Sequence, residues 1–227
     1  MTWHLRESDF FSGLSEEKDA FMSLARRREL NKNEIVFFED DPGNSCFYLE
    51  KGIIKIFKIG FDGKEPIFFL RRPGEFFGLA EVVGGQPRKA NAQAITPVVL
   101  HEITKRDFES LLANHYLLAR KIIGVLGRRL RYLGELIESL MVCDVSTRLA
   151  KLLVYLSYEK LTDEASWLKP VDIPVNLTQE QIAAMTGSCQ QTVSELLKKF
   201  QEERLIEVSR RKITVLNPLK LLSKAEN

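Results

Sequence analysis

The stretch LTQEQIAAMTGSCQQTVSELLKKF, residues 177–200, predicts two short helices joined by a tight turn. Thr178 and Ser188 are each followed three residues later by a glutamine, the capping-box pattern of a helix start. Gly187 lies between the two starts, where a sharp turn needs a positive φ, and small Ala183 suits a close helix crossing. This spacing is that of a helix-turn-helix. The residues expected to point inward are Ile182, Met185, Val193, Leu196, Leu197 and Phe200.

Two apolar runs that follow this segment predict a β-hairpin beside it. LIEV and ITVL are separated by SRRK, so Arg210, Arg211 and Lys212 are expected at the hairpin tip. A helix-turn-helix followed by a two-stranded wing is a winged DNA-binding domain, and its basic tip would lie against phosphate. The sequence therefore predicts double-stranded DNA as a partner.

The first half of the chain has the pattern of a small antiparallel β-structure. From Ile35 to Ile103, short apolar runs such as IVFF, CFYLE and PIFFL alternate with turn residues at intervals of roughly ten residues. Asp62-Gly63 is a hairpin signal, and the glycine-rich passage GEFFGLAEVVGGQPRKANA interrupts the runs. The expected fold class is α+β, with an N-terminal β-roll (a double-stranded jelly roll) ahead of the helical part.

Between the two parts, apolar residues recur at alternating steps of four and three residues. Such a seam over about four heptads is the signature of a coiled coil, so we expect a parallel homodimer. The alternative is a long amphipathic helix that lies on its own domain. Gly124, Gly127 and Gly134 lie inside this helix and could let another element approach closely. The seam consists of Leu112, Tyr116, Ala119, Ile123, Leu126, Leu130, Leu133, Ile137 and Leu140.

The composition limits the other function classes. The 227 residues are 44% hydrophobic with a net charge of only +2, which suits two modest domains without a broad basic field. Cys46, Cys143 and Cys189 lie far apart, which fits a reducing cytoplasm and argues against zinc or an iron–sulfur cluster. No apolar stretch approaches about 18 residues, so neither export nor membrane insertion is expected. No Ser-His-Asp, metal or P-loop constellation points to an enzyme.

The order of roll, long helix and winged helix-turn-helix resembles the CRP/FNR superfamily of bacterial transcription regulators. The resemblance covers about residues 10–222 and is sharpest in PGEFFGLAEVVGGQPRKANA, similar to the family's phosphate-binding cassette, in DVSTRLAKLL, and in Thr192 to Ser194. The C-terminal half is also similar to the carbon-monoxide-sensing CooA branch. The resemblance implies a homodimer in which an effector, bound between roll and long helix, reorients the DNA-binding domains.

The resemblance also implies three parts with separate roles. Residues 1–111 would form an effector-binding β-roll of the cyclic-nucleotide-binding type, residues 112–141 the dimerisation helix, and residues 142–227 the winged helix-turn-helix. The effector would shift the coiled-coil register or a hinge near residues 142–144. A palindromic operator is expected, and so is contact with RNA polymerase through the loop TDEASWLKP. The expected dimer contacts are Ala119, Ile123, Leu126, Leu130, Leu133, Ile137 and Leu140.

The cassette departs from the family's cyclic-nucleotide pattern. Cyclic-nucleotide-binding members carry FGE, whose glutamate holds the ribose, and PRS or PRT, whose arginine neutralises the phosphate. Here Leu79 replaces the glutamate, Arg88 matches, and Lys89 replaces the hydroxyl residue. The hydroxyl side chains that contact adenine in cAMP-responsive members align with Leu133 and Gly134. A purine edge left without a partner there would cost on the order of 1–3 kcal/mol. The effector is therefore not expected to be cAMP. The candidate effector-binding residues are Gly78, Leu79, Glu81, Arg88, Lys89, Ala90, Leu126, Leu130, Leu133 and Gly134.

Several chemistries stay open for this unidentified small-molecule effector. Arg88 and Lys89 beside a glycine-rich loop could bind an anion such as a carboxylate or phosphate; alternatively, Arg88 forms an internal salt bridge, for example with Glu81. Haem is the rival that the CooA likeness implies, although residues 76–81 hold neither cysteine nor histidine. A cyclic-nucleotide-binding regulatory module is a further alternative. The conceivable haem ligands are His4, His101, His115 and Cys46.

The second helix of the helix-turn-helix is expected to enter the major groove of DNA. Many family members carry arginine, glutamate and arginine where this chain has Gln190, Gln191 and Glu195, so the usual guanine-containing half-site is not expected. Glutamine pairs with adenine, and glutamate accepts from cytosine. Lys198 and Lys199 are candidate phosphate contacts, or else a solvated helix face. The candidate DNA contacts are Thr178, Gln179, Ser188, Gln190, Gln191, Thr192, Ser194, Glu195, Lys198, Lys199, Arg210, Arg211 and Lys212.

Overall fold

The computed structural model describes residues 9–210 and 212–224. The strands of the first half are β1 (Arg26–Leu30), β2 (Ile35–Phe37), β3 (Ser45–Lys51), β4 (Ile54–Phe57), β5 (Ile67–Arg71), β6 (Phe76–Phe77), β7 (Asn91–Ala94) and β8 (Val98–Thr104). They form two four-stranded antiparallel sheets, with strand orders β1-β8-β3-β6 and β2-β7-β4-β5. The predicted antiparallel β-roll is confirmed.

Side chains along β3 alternate between the two faces of its sheet, which explains why the roll has two hydrophobic clusters. The helices around the roll are α1 (Ser15–Leu24), α2 (Leu79–Gly84), α3 (Lys105–Asn114) and α4 (Tyr116–Val142). Cys46 and Tyr48 lie in a cluster with residues of these helices, whereas Phe47 and Leu49 lie in a cluster with residues of both sheets. Successive strand residues point to opposite faces, so a continuous apolar run buries both faces of the sheet.

The hairpin between β4 and β5 turns at the predicted dipeptide but has a longer loop. Gly63 has a φ of +74°, and its amide donates to the carbonyl of Gly60 over 3.0 Å. The strands end at Phe57 and resume at Ile67. The loop closes on itself, because the Gly60 amide donates to the carbonyl of Lys64 over 2.8 Å.

The long helix begins at Tyr116 rather than at Leu112. Leu112 lies on α3, and the two helices are separated at His115, whose φ of −124° and ψ of 86° are not helical. Leu112 nevertheless packs against the same hydrophobic cluster as Leu118 and Ile122 of α4. The chain divides into two compact units inside α4, between Tyr132 and Leu133, rather than at either end of this helix.

The C-terminal unit confirms the predicted winged helix-turn-helix. After the end of α4 it contains α5 (Val145–Ser157), two 3-10 helices (Tyr158–Lys160 and Glu164–Leu168), β9 (Val171–Asp172), α6 (Gln179–Thr186), α7 (Gln190–Glu202), β10 (Ile206–Ser209), β11 (Lys212–Val215) and α8 (Pro218–Ser223). The wing has three strands, in the order β10-β11-β9, instead of the two expected. A strand as short as β9 carries no recognisable alternation in the sequence, and a proline follows it closely.

The helices within residues 9–210 and 212–224 do not meet the requirements of a membrane span. None of these helices combines the length and the apolar composition needed to cross a bilayer.

Candidate nucleic-acid interface and effector cassette

The first helix of the helix-turn-helix starts with a complete capping box. The Gln181 amide donates to Thr178 Oγ1 over 3.1 Å, and the Thr178 amide donates to Gln181 Oε1 over 2.9 Å. The helix ends at Gly187, which has a φ of +61° and donates its amide to the carbonyl of Ala183. An added Cβ at Gly187 would lie 3.3 Å from Leu140 Cδ2. The glycine therefore supplies both the left-handed turn and a close approach to the end of α4.

The start of α7 differs from the sequence-based expectation. The N-cap residue is Cys189 rather than Ser188, and no side chain caps the helix amides there. Ser188 belongs to the turn, where its amide donates to the carbonyl of Ala183 over 3.0 Å. The predicted second capping box is therefore wrong, because the turn after α6 takes up one residue more than the pattern assumed. Cys189 Sγ lies 3.1 Å from Thr192 Oγ1 instead.

The recognition helix α7 has one apolar side and one polar side. Val193, Leu197 and Phe200 are buried, as the helical spacing predicted. Gln191 Nε2 donates to Glu195 Oε1 over 3.2 Å on the opposite side. A polar helix surface of this kind is suited to the major groove. The predicted DNA contacts that α7 exposes are Gln190, Gln191, Glu195, Lys198 and Lys199, and Thr192 and Ser194 are half-buried.

The basic residues of the wing lie in different environments. Lys212 is the first residue of β11, and its Nζ lies 2.7 Å from Asp172 Oδ2 on β9. Hydrogen bonds from Lys212 and from Thr214 hold the pKa of Asp172 below its ordinary value. Arg210 is exposed at the turn with a φ of +47°, whereas Arg211 lies outside the described residues. Lys212 is thus engaged within the wing rather than free at its tip.

The segment that joins α4 to the helix-turn-helix is held by Arg148. Arg148 Nε donates to the carbonyl of Thr186 over 2.8 Å, and its Nη1 donates to the carbonyl of Cys143 over 2.7 Å. Asp144 caps α5 by accepting from the amide of Thr147 over 2.7 Å, and this bond lowers the pKa of Asp144. The end of α6, the end of α4 and the start of α5 are therefore linked by side chains of the DVSTR motif.

In the roll, Gly78 allows Arg88 to reach the backbone of the cassette. Gly78 precedes α2 with a φ of +71°, and an added Cβ would lie 2.6 Å from Arg88 Nη1. Arg88 Nη1 donates to the carbonyl of Gly78 over 3.2 Å. Glycine is required here because both the left-handed backbone and the guanidinium exclude a side chain.

Arg88 is 1% exposed, and its hydrogen bonds are made within the chain. Nη2 donates to the carbonyl of Ser45 over 2.5 Å, and Nη1 lies 3.5 Å from Glu81 Oε2. The guanidinium carbon lies 4.2 Å from the centre of the Phe37 ring. Burial lowers the pKa of Arg88, and the charge of Glu81 opposes that shift. The geometry supports the internal salt bridge, and Ser45 and Phe37 were not predictable as its partners because they are distant in sequence.

The other candidate effector-binding residues differ in burial. Leu79 is 1% exposed and lies, together with the partly buried Leu126, in the cluster formed by the roll and its helices. Leu79 is therefore a core residue. The remaining candidates are more accessible; they are Lys89, Ala90, Leu130, Leu133 and Gly134. Leu133 and Gly134 belong to the C-terminal unit.

The conceivable haem ligands lie in separate environments. His101 Nε2 lies 2.6 Å from Glu50 Oε2, and His115 separates α3 from α4. Cys46 is fully buried, and burial raises the pKa of its thiol. His4 lies outside the described residues. Within residues 9–210 and 212–224, no three or more His, Cys, Asp and Glu side chains form a group that could hold a metal ion.

The outward side of α4 is apolar. Ile123 is 70% exposed, Leu130 71% and Ile137 56%. The side that packs on the roll is formed mainly by Leu118, Ile122 and Val125, and the partly buried seam residue Leu126 packs against the same cluster. At Gly124 and Gly127 an added Cβ would meet arginine side chains no closer than 3.6 Å, so nothing in the described chain requires glycine there. Tyr116, Leu133 and Leu140 are also exposed, whereas Ala119 and Leu126 are half-buried.

An antiparallel roll, a long helix and a winged helix-turn-helix together define a two-part DNA-binding transcription regulator. Residues 27–115 match the family model of the cyclic nucleotide-binding domain, and residues 147–223 match that of the Crp-like helix-turn-helix domain. The chain is 30% identical over 193 residues to the global nitrogen regulator of Synechocystis sp., with 84% of each chain covered. The chain belongs to the CRP/FNR family of transcription regulators.

Two further similarities cover almost the whole chain. The CRP-like cAMP-activated global transcriptional regulator of Mycobacterium tuberculosis is 26% identical over 224 residues, which are 97% of this chain and 98% of the relative. A solved structure of a CooA mutant from Carboxydothermus hydrogenoformans has a TM-score of 0.80 at 22% identity and covers 99% of both chains. At this identity the CooA structure bears on the fold alone.

Proposed function

We propose that this regulator is a homodimer that binds a palindromic operator under the control of a small effector other than cAMP. The observation that carries the proposal is the surface of α7, in which a buried apolar side fixes the helix and a polar side faces outward. Such a helix, preceded by a capped helix and a glycine turn, is the reading element of a helix-turn-helix.

Homodimerisation is supported by the exposed side of α4. Ile123, Leu130 and Ile137 each expose more than half of their surface, and burial of apolar surface contributes about 25 cal/mol per Å². Their heptad spacing suits a second copy of the same helix. Two copies related by a two-fold axis would present two α7 helices to half-sites about one helical turn apart.

The DNA contacts divide into two kinds. The exposed residues near the start of α7, Gln190, Gln191 and Glu195, would face base edges. Lys198, Lys199, Gln179 and Arg210 would contact phosphates, which position the protein without reading sequence. Lys212 is expected to contribute less, since Asp172 already partly neutralises it.

The cassette supports an effector other than cAMP. Leu79 stands in the core where cyclic-nucleotide-binding members carry the ribose-holding glutamate. Arg88 is 1% exposed, and only its Nε lacks a hydrogen-bond partner among the described residues. A cyclic phosphate could take over the Nη donors only by displacing the carbonyls of Ser45 and Gly78 and the carboxylate of Glu81. Leaving buried polar groups unpaired costs on the order of 1–3 kcal/mol each. An anionic effector would therefore meet the exposed Lys89 rather than Arg88.

Control by the effector is proposed to pass through residues 142–144. An effector works only through different affinity for two states of the protein. Arg148 and Asp144 tie the end of α4 to α5 and α6, so a change in α4 would be passed to the recognition helix. The largely exposed segment that carries the second 3-10 helix, residues 162–170, is the proposed contact with RNA polymerase.

The proposal is tested by selecting bound duplexes from a random DNA library with purified full-length protein. The selection is run alone, with cAMP, and with a small-molecule cell extract. A two-fold symmetric motif that appears or strengthens with extract, and not with cAMP, is the expected result. No motif under any condition would contradict DNA reading, and a motif that depends on cAMP would contradict the effector assignment.

A further inference from the structure

The exposed side of α7 carries a side-chain pair whose hydrogen bonding restricts what it can recognise. Gln191 and Glu195 are separated by one helical turn, and both are exposed. Gln191 Nε2 donates to Glu195 Oε1 over 3.2 Å. Side chains four residues apart on a helix are neighbours, so this bond links two side chains that would face adjacent positions of one DNA groove.

The chemistry of the two groups fixes the orientation of the amide. An ionised carboxylate can only accept hydrogen bonds, so the NH₂ end of Gln191 must face Glu195. The carbonyl oxygen Oε1 of Gln191 is then directed away from the bond, and Glu195 keeps its second oxygen, Oε2, as an acceptor. Since Nε2 keeps one further hydrogen, the pair offers two acceptor oxygens and one N–H donor, so that acceptors predominate.

We infer that Gln191 and Glu195 act together as an acceptor pair that selects bases bearing an amino group, and that Glu195 discriminates against guanine and thymine. In the major groove cytosine presents its N4 amino group and adenine its N6 amino group as donors. Guanine presents the acceptors N7 and O6, and thymine the acceptor O4. A carboxylate opposite guanine or thymine would place acceptor against acceptor, which is unfavourable.

This inference deepens the proposed function and depends on it, because it specifies which bases each half-site must offer. It predicts that the half-site contains neighbouring positions restricted to adenine or cytosine on the strand that α7 reads. A good side-chain contact to a base discriminates by about 1–3 kcal/mol, which corresponds to about 5- to 150-fold in affinity.

The experiment compares full-length wild type with Glu195→Gln and with a control in the random-duplex selection, with cell extract present. Glutamine has nearly the same shape as glutamate but offers an NH₂ donor, so Glu195→Gln should accept guanine or thymine at one position of each half-site. The matched control is Glu202→Gln, which makes the same change in charge at an exposed site at the end of the same helix. Circular dichroism of each variant checks that the fold is retained.

The expected result is that one position per half-site loses its restriction in Glu195→Gln, while every position is unchanged in Glu202→Gln. Direct titration then compares two duplexes that differ only at that position, one with adenine or cytosine and one with guanine or thymine. Wild type should bind the first about 5- to 150-fold more tightly than the second, and Glu195→Gln should bind both with nearly equal affinity. A wild-type motif without amino-restricted neighbouring positions, or a Glu195→Gln motif identical to wild type, overturns the inference while leaving the proposed function intact. A wild type that selects no motif contradicts the proposed function itself.

Discussion

At the scale of single residues, Arg88 shows how a sequence motif can be present while its side chain serves another purpose. Pro87-Arg88 matches the family's cassette, yet the guanidinium is buried against Phe37 and bonded to Ser45 and Gly78. The sequence left two interpretations open, an anion ligand and an internal salt bridge. The structure supports the second, because both Nη atoms have partners within the chain.

Replacing Arg88 should therefore destabilise the roll. Arg88→Ala would leave the carbonyls of Ser45 and Gly78 without their donor and Glu81 without its cation, at an expected cost of about 3 kcal/mol or more in the free energy of unfolding. The measurement is urea denaturation followed by circular dichroism. Lys89→Ala removes the adjacent exposed cation and should change stability by about 0.5 kcal/mol or less. Equal stability of the two variants would show that Arg88 does not hold the cassette together.

The cysteines should differ sharply in reactivity, because the thiolate is the reactive form. Cys189 is exposed, and hydrogen bonds from Thr192 lower its pKa, whereas burial raises the pKa of Cys46. In the native protein, iodoacetamide should modify Cys189 well before Cys46, as peptide mass spectrometry would show. Thr192→Val should move the pH of half-maximal labelling of Cys189 upward. An unchanged pH profile in that variant would contradict the role assigned to Thr192.

At the scale of elements, the helix-turn-helix was predictable to within one residue at most of its boundaries. The capping box at Thr178 and the turn at Gly187 are local effects, and both are found where the pattern placed them. The start of α7 was misplaced because Ser188 is used by the turn, which depends on the bond from its amide to Ala183. Likewise, β9 forms because β11 offers it a partner, a long-range pairing that the local sequence does not encode.

The cap of α5 should contribute measurably to the stability of the C-terminal unit. Asp144→Ala removes the acceptor for the Thr147 amide and should cost about 1 kcal/mol, whereas Asp144→Asn keeps an acceptor oxygen and should cost less. The pKa of Asp144 is lowered in the folded state, so its contribution is complete above the ordinary carboxyl pKa of 3.8 and is lost as the pH falls through the lowered value. Thermal melts at neutral and acid pH should show that the loss of stability in Asp144→Ala relative to wild type becomes smaller in acid. A constant difference across that range would mean that the charge plays no part.

At the scale of the whole molecule, the long helix has one side that packs on the roll and one side that is exposed. Leu118, Ile122 and Val125 pack on the roll, and the heptad residues Ile123 and Leu130 remain exposed. The two interpretations of the helix, a coiled-coil partner and an amphipathic helix on its own domain, are thus compatible, since they use different sides except at Leu126, which packs on the roll. The buried side accounts for the second interpretation, and the exposed side is the basis for proposing a dimer.

The dimer proposal predicts a position-specific effect of charge on α4. Leu130→Glu would place a carboxylate in the middle of the proposed interface and should convert dimer to monomer at micromolar concentration. Leu117→Glu is the matched control, because Leu117 is also exposed on α4, at 51%, but lies outside the heptad seam. Sedimentation velocity would measure both. A monomeric wild type, or a dimer that survives Leu130→Glu unchanged, would contradict the proposed interface.

The sequence by itself determined the order of roll, long helix and winged helix-turn-helix, the fold class, the cap of α6 with the turn that follows it, and the family. Periodicity, capping and glycine turns are local, and motif order needs no coordinates. Only the tertiary structure decided which way Arg88 turns, that Leu79 is a core residue, that α4 starts at Tyr116, and that Gln191 is bonded to Glu195. These outcomes depend on residues brought together from distant parts of the chain or on the choice between side-chain orientations. Packing and hydrogen-bond competition settle such choices, and a linear pattern cannot express them.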